Sequence, residues 1–275
     1  MRDATSMTPA TANTILAIDL GKFRSVACLF DAASGEHRFQ TIATTPPAVH
    51  DLLIESSPQL LVIEACGVCG WIADLAESLG IAVRVANTLG EAWKWKRVKR
   101  KTDRDDSLKL AKLAATGQLP LVHVPELAVR QHRSLIKYRH ALIDRRTGIK
   151  NTIRSLLDAQ GLSLPGRSRG WTIASINELK ALSRPLSACD GANLWRGQLA
   201  SELTMFEQVT ALIKEADKKL DAVAATDERV TRLRTIPQVG ARLAELVVAT
   251  LDDAKRFKTA KQVNAYAGLV PKQYQ

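Results

Sequence analysis

Four acidic residues stand where carboxylates could gather around metal ions. Asp19 ends a short apolar run (TILAID, 14–19), and Glu64 lies at the end of another (LLVIEA, 60–65). Asp103 and Asp106 are three residues apart at the start of a predicted helix, which places both on one helical face. Mg²⁺ prefers oxygen ligands, and two-metal nucleases hold a pair of ions about 4 Å apart. The four acids therefore predict a divalent-metal site of the nuclease type.

Each of these acids also has a structural explanation. The acid of the first strand could cap a turn, and Glu64 could pair with Lys22. Asp103 could be a helix N-cap, with Asp106 completing a capping box. Asp105 is an alternative ligand, although it points about 100° away from Asp106 on a helix. Two acids at strand ends combined with two on one helical face are more specific than any of them alone.

Basic residues surround the start of this predicted helix, with Trp93 and Trp95 among them. Such residues would let a phosphodiester approach a cluster of carboxylates, although a solvated charge run is the simpler explanation. The basic residues here are Lys94, Lys96, Arg97, Lys99, Arg100, Lys101 and Arg104. Further candidates for nucleic-acid contacts are Arg145, Arg146, Lys150 and Gly240.

The composition favours a polyanionic partner. Among 275 residues, 39 Lys and Arg outnumber 28 Asp and Glu, and 46% are hydrophobic, which is enough for packed cores. Neither a secretory signal nor a membrane-spanning stretch is visible, so we expect a cytoplasmic protein without a membrane partner. Cys66 and Cys69 form a lone Cys-x-x-Cys pair, which is weak support for zinc, and we expect buried, reduced cysteines.

The first half of the chain has the pattern of a mixed α/β sheet domain. Apolar runs predict strands at 14–19, 25–30, 60–65 and 82–86, and a further strand is placed at 37–42 because it follows the turn-rich segment 31–36. Helices are predicted at 48–56, 68–79, 90–98 and 103–116. We expect a flexible tail at 1–13 followed by an α/β domain at 14–122.

The second half is predicted to be helical. Long helical patterns cover 129–159 and 194–225, separated by a loop at 161–170, and indicate a coiled-coil-like arm at 123–228. A helical hairpin packed on the domain is the alternative. In the last segment, 229–275, the turn IPQVG at 236–240 lies between two helical stretches and resembles a helix-hairpin-helix. Gly240 would then offer backbone N–H groups to a DNA phosphate, unless the segment is an ordinary helical turn.

Several motifs resemble the DEDD transposases of the bacterial insertion sequences of the IS110 family. They are AIDLG at 17–21, VIEAC at 62–66, KTDRDD at 101–106, IPQVG at 236–240 and YAGLVP at 266–271. The resemblance implies an RNase H-like (RuvC-like) domain in which Asp19, Glu64, Asp103 and Asp106 are the catalytic, Mg²⁺-binding tetrad. It also implies DNA as substrate, a structured guide RNA in some members, and a homo-oligomer, either a dimer or a tetramer.

The resemblance further implies a nucleophilic serine beyond the GLVP element, whereas this sequence stops at Gln275. We therefore expect a DNA transposase or recombinase that is truncated in its C-terminal domain. A non-catalytic nucleic-acid-binding fragment is the alternative. A sugar kinase or actin-like ATPase shares the strand–Asp-x-Gly–strand opening, but no second glycine-rich phosphate loop is visible in the sequence.

Overall fold

The structure, a computed structural model, describes residues 13–87, 102–166 and 171–270. Chain contacts divide the protein into two compact units, Met1–Leu127 and Ala128–Gln275. The predicted helix at 90–98 lies outside the described residues, as does the predicted tail apart from Asn13. The three-part division at residues 122 and 228 stays a prediction.

The first unit is built on a five-stranded sheet with the order β3-β2-β1-β4-β5. The strands are β1 (Thr14–Asp19), β2 (Arg24–Asp31), β3 (His37–Ala43), β4 (Leu60–Glu64) and β5 (Ala82–Ala86). β1, β2 and β3 form an antiparallel meander, while β4 and β5 run parallel to β1. This order and these directions are those of the RNase H-like fold, which confirms the predicted α/β class.

Helices cover both faces of this sheet. Alternate residues of the central strands, such as Leu16 and Ile63, pack with residues of α1 (Pro46–Ser56) and α2 (Cys69–Ser78). The intervening residues, such as Ala17 and Val62, pack against α3 (Asp103–Ala115). Because β1 and β4 are buried on both sides, their sequences are almost continuously apolar rather than alternating. The polar residue that ends each strand is therefore conspicuous.

The connection between β1 and β2 is tight and needs glycine. A Cβ atom built on Gly21 would lie 2.1 Å from the carbonyl oxygen of Arg24. The carbonyl of Gly21 accepts a hydrogen bond from Thr44 Oγ1 at 2.8 Å. This turn fixes the hairpin immediately after the acid that ends β1.

The second unit is helical, as predicted. Its described helices are α4 (Leu127–Asp158), α5 (Ile173–Leu182), α6 (Leu194–Ala224), α7 (Glu228–Leu233), α8 (Ala241–Leu251) and α9 (Ala260–Tyr266), with short 3-10 turns at Leu186–Ala188 and Ala254–Arg256. The two long helical patterns of the sequence correspond to α4 and α6, whereas α5 was not predicted.

The long helices α4 and α6 run antiparallel and share a core. Near one end Ile153 of α4 packs with Leu203 of α6, and towards the other end Arg139 Nε donates to Asp217 Oδ1 at 3.0 Å. A smaller core joins the end of α6 to α7 and α8 through Val230 and Val248. Among the described helices, none has the combination of length and apolarity needed to cross a membrane.

Candidate metal centre

Asp19 and Glu64 occupy neighbouring positions at the ends of two central strands. In the parallel pairing of β1 with β4, Ile18 lies opposite Ile63, and each of these residues is followed by one of the two acids. Both acids are half-buried. Neighbouring strands are about 4.8 Å apart, so the register brings the two carboxylates to one edge of the sheet. This is the arrangement that the two strand-end acids predicted.

The two acids also share a face of the sheet. Side chains alternate along a strand, so Asp19 projects from the same side as Ala17, and Glu64 from the same side as Val62. Ala17 and Val62 both belong to the core that includes Leu110 of α3. The strand-end acids therefore lie on the face that α3 covers.

The other two acids lie in the first turns of that helix. Asp106 precedes Leu110 by four residues and Asp103 precedes it by seven, so all three lie along one helical face. Leu110 is buried against the sheet, Asp106 is 8% exposed, and Asp103 is exposed. The helix thus directs Asp106 towards the sheet face that carries the strand-end acids, with Asp103 at its outer end.

The capping of α3 differs from the alternative that the sequence suggested. The N-cap is Thr102, and a capping box joins it to Asp105: Thr102 N donates to the Asp105 carboxylate at 3.0 Å, and Asp105 N donates to Thr102 Oγ1 at 3.3 Å. The interpretation of Asp103 and Asp106 as the capping pair is wrong, because the helix begins one residue earlier than that interpretation required.

This capping box gives Asp105 a structural role. Hydrogen bonds from the Thr102 hydroxyl and backbone N–H lower the pKa of the Asp105 carboxyl below its ordinary value. Its carboxylate faces the helix N-cap, about 100° around the helix from Asp106. The structure therefore offers Asp103 and Asp106, rather than Asp105, as the helical partners of the strand-end acids.

The backbone brings the four acids towards one end of the sheet, whereas the side chains in the described parts of the chain do not form a closed cage. Within residues 13–87, 102–166 and 171–270, no group of three or more His, Cys, Asp or Glu side chains is arranged so that it could hold a metal ion. The residue types, the register of β1 with β4 and the face covered by α3 all suit a hard divalent cation. Metal binding by the tetrad stays a prediction.

Arg104 is the one described member of the basic group beside this site. It is exposed in the first turn of α3, and its guanidinium carbon lies 5.6 Å from the centroid of the Phe39 ring on β3. The predicted nucleic-acid contacts Lys96, Arg97, Lys99, Arg100 and Lys101 lie outside the described residues, with Lys94, Trp93 and Trp95.

The other predicted nucleic-acid contacts belong to the second unit. Arg145 is exposed on α4, while Arg146 and Lys150 on the same helix are half-buried. Gly240 is the N-cap of α8, and no side chain caps this helix. The helices on both sides of the 236–240 turn, α7 and α8, are present, whereas a DNA contact at this turn stays a prediction.

The cysteines only partly follow the expectation of burial. Cys28 is buried in the sheet, and burial raises the pKa of its thiol to about 11. Cys66, Cys69 and Cys189 are free but only half-buried, so the prediction of burial is wrong for them. Burial is still the main cause that raises the pKa of the Cys66 thiol.

Comparison with known protein families identifies the family to which this protein belongs. One family model, a DEDD transposase model named for IS110, matches residues 16–160. A second model, described as the transposase IS116/IS110/IS902 family, matches residues 230–275. The chain belongs to the IS110 family of transposases. The first match covers β1 from Leu16 onwards together with β4 and α3, and thus all four acids of the candidate centre. Membership favours a transposase over the sugar kinase or actin-like ATPase.

Curated relatives are also transposases. A probable family 20 transposase of Pseudomonas aeruginosa is 30% identical over 228 residues, covering 82% of this chain and 65% of the relative. The transposase for insertion sequence element IS1111A of Coxiella burnetii is 28% identical over 176 residues, covering 63% and 46%. The chain therefore spans less than two thirds of the length of either relative.

A third transposase, for element IS1328 of Yersinia enterocolitica, is 26% identical over 272 residues, covering 95% of this chain and 75% of the relative. Among solved structures, RuvC of Thermus thermophilus is similar to 40% of this chain and 99% of its own, with 15% identity and a TM-score of 0.27. The assignment of the fold rests on the strand order and directions described above.

Proposed function

We propose that this member of the IS110 family supplies the divalent-metal-binding acids for the cleavage and joining of DNA strands, and that these acids are Asp19, Glu64, Asp103 and Asp106. The observation that carries the proposal is the placement of two acids on adjacent central strands, on the face that α3 covers with Asp106 directed towards them.

The donor chemistry supports Mg²⁺ as the metal, since all four side chains offer carboxylate oxygens. Asp19 and Glu64 would hold one ion, and Asp103 and Asp106 a second ion or a shared edge. When bound, such ions supply activation of a water or hydroxyl and stabilise the charge on the phosphodiester. The protein contributes rigid strand ends for two ligands and the first turns of α3 for the other two.

The partners follow from the same proposal. DNA is the substrate, and the excess of 39 basic over 28 acidic residues favours its approach. A structured RNA encoded by the element and a dimeric or tetrameric assembly belong to the proposal through the family resemblance. Action on chromosomal DNA in a bacterium would take place in the cytoplasm.

The test is DNA cleavage by the full chain. The substrate carries the ends of the encoding insertion sequence, and RNA transcribed from the same element is added with Mg²⁺. We expect strand nicks that disappear in Asp19→Asn and Glu64→Gln. The matched control is Glu77→Gln, because Glu77 is an exposed acid of α2 in the same unit. Equal cleavage by all four proteins would refute the assignment of the tetrad.

A second candidate function is nucleic-acid binding without cleavage. It is favoured by the finding that no metal-binding group of three or more side chains is arranged within the described parts of the chain. Salt-dependent binding of DNA or RNA by the wild type, without any metal-dependent cleavage, is the result that would select this candidate.

A further inference from the structure

Three cations follow one another along α4 of the second unit. Arg146, Lys150 and Arg154 are spaced four residues apart, so they lie on successive turns of one helical face. Beside them on the helix, one position away along the chain, lies a second row of residues that includes Ile153 and Leu157. This second row is buried in the core of the unit. We call these three residues the cation stripe. It runs along the border between the buried and the exposed sides of the helix.

Two aromatic rings contact the side chains of the stripe. The rings of Trp171, which precedes α5, and Phe206, on α6, have centroids 5.3 Å apart. Lys150 Nζ lies 5.1 Å from the Trp171 centroid and 5.8 Å from that of Phe206. The guanidinium carbon of Arg154 lies 5.6 Å from the Trp171 centroid. Cation–π attraction to these rings holds two long side chains in place before any ligand arrives.

None of the three cations forms an ion pair with a described acidic side chain. In the part of the chain that the structure describes, no carboxylate lies within 4.0 Å of the charged nitrogens of Arg146, Lys150 or Arg154. By contrast, Lys180 of α5 pairs with Glu207 of α6 in the same unit. Burial, followed by repulsion from Arg146 and Arg154, lowers the pKa of Lys150.

This arrangement suits a chain of phosphates. Like charges four residues apart destabilise a helix, and an anion that contacts them removes the repulsion. The cations repeat about every 6 Å along the helix axis, which is comparable to the distance between consecutive phosphates of a nucleic-acid strand. Arginine and lysine side chains already held by packing lose little freedom when such a ligand binds.

We propose that the cation stripe binds the sugar–phosphate backbone of a nucleic acid, with Trp171 as the residue that positions Lys150 and Arg154. The proposal rests on the proposed function and deepens it, because it assigns a binding surface distinct from the four acids. Arg146 and Lys150 were already candidate nucleic-acid contacts, and the structure adds Arg154, Trp171 and Phe206 to this surface. Since the contacts are to phosphate, both DNA and RNA carry the chemistry that the stripe recognises.

The experiment compares the full-length wild type with the variant Arg146→Gln/Lys150→Gln/Arg154→Gln. Binding to a DNA and to an RNA of the same sequence is measured at several salt concentrations without divalent metal. The slope of log affinity against log salt is negative, and each lost phosphate contact lowers its magnitude by about 0.7 to 0.9. We expect the magnitude of the slope to fall by roughly two to three, with at least a tenfold loss of affinity at ~0.1 M salt.

The control removes three charges elsewhere in the same unit. Lys214, Lys218 and Lys219 are exposed on α6, and their triple replacement by Gln should change the slope much less than the stripe variant does. Far-UV circular dichroism verifies that both triple variants are folded. The polymer whose binding is lost identifies the ligand as DNA, RNA or both. An equal change of slope in the stripe and control variants overturns the proposal.

The role of Trp171 has its own test. Trp171→Leu keeps the site apolar but removes the ring face, so we expect a two- to fivefold loss of affinity, which Trp171→Phe restores. Equal binding by Trp171→Leu and wild type would leave Trp171 without a positioning role.

A wild type that binds neither polymer also overturns the binding surface. Divalent-metal titration of Asp19→Asn does not involve the stripe, so it shows separately whether the metal centre fails.

Discussion

In the first turns of α3, Thr102 has a capping role and Asp106 has the proposed metal-binding role. Thr102 caps the helix through the 3.3 Å hydrogen bond from Asp105 N, and it is tied to the Asp105 carboxylate by a 2.6 Å hydrogen bond from its hydroxyl. Loss of an N-cap hydroxyl costs about 0.5–2 kcal/mol. Because Thr102 is exposed and one of its two bonds is long, we expect Thr102→Ala to lower the free energy of unfolding by about 1 kcal/mol. Metal affinity should stay at the wild-type value.

Asp106→Asn should lower the metal affinity and leave the capping of α3 unchanged. Asp106 takes no part in the capping box, and Asn keeps the size of the side chain while removing its charge. We expect the affinity for a divalent ion to fall by about tenfold or more. The capping box stays intact in this variant, so the contrast with Thr102→Ala is read from the metal affinities of the two variants.

The assay combines urea unfolding without metal with calorimetric titration of Mg²⁺ or Mn²⁺ on the same preparations. The pH dependence gives an internal check. Because the pKa of Asp105 is lowered on folding, the box stabilises the protein above the ordinary pKa of 3.8 and loses that effect as the pH falls through the lowered value. The difference in stability between Thr102→Ala and wild type should therefore narrow in acid, where the bonds to the Asp105 carboxylate weaken but the bond from Asp105 N to Thr102 Oγ1 persists. If Thr102→Ala weakened metal binding as much as Asp106→Asn, the separation of roles would be refuted.

Three further substitutions test the scaffold. Gly21→Ala should cost about 1–3 kcal/mol in urea unfolding, since its Cβ would lie 2.1 Å from a backbone oxygen, whereas Gly67→Ala, with no atom within 4 Å, should be close to neutral. Leu110→Ala should cost about 2–5 kcal/mol and also weaken metal binding through Asp106; unchanged stability would contradict its place in the core. Asp227 caps α7 and its pKa is lowered, chiefly by Arg229, so Asp227→Asn should destabilise near neutral pH but not in strong acid.

β1, β2, β4 and β5 could be predicted from the sequence because each is a short, largely apolar run followed by a polar residue or a turn. β3 (HRFQTIA) is mostly polar and was placed by its position after a turn-rich segment. The parallel pairing of β1 with β4 could not be derived from the runs themselves, since it depends on contacts between residues 45 positions apart, such as Ile18 and Ile63. α5 was missed because its sequence, IASINELKAL, is short and has only a weakly segregated apolar face.

In the candidate site, the position of the α3 N-cap also could not be predicted from local sequence. Thr102 and Asp103 are both good N-cap residues, so propensity does not decide between them. The register is decided by burial: Leu110 and Ala111 must face the sheet, and this places Asp106 on the same side. The aromatic support of the cation stripe was also invisible, because Trp171 and Phe206 are far apart in the sequence and meet only when α6 packs beside α4.

Calorimetric titration of the full chain with Mn²⁺ measures directly whether the ends of β1 and β4 hold a metal ion. We expect saturable binding by the wild type and by Glu77→Gln, and a loss of at least about tenfold in affinity for Asp19→Asn and for Glu64→Gln. Circular dichroism should show that all four proteins are equally folded. Equal Mn²⁺ affinity in all four would contradict the assignment of a metal centre to the ends of β1 and β4.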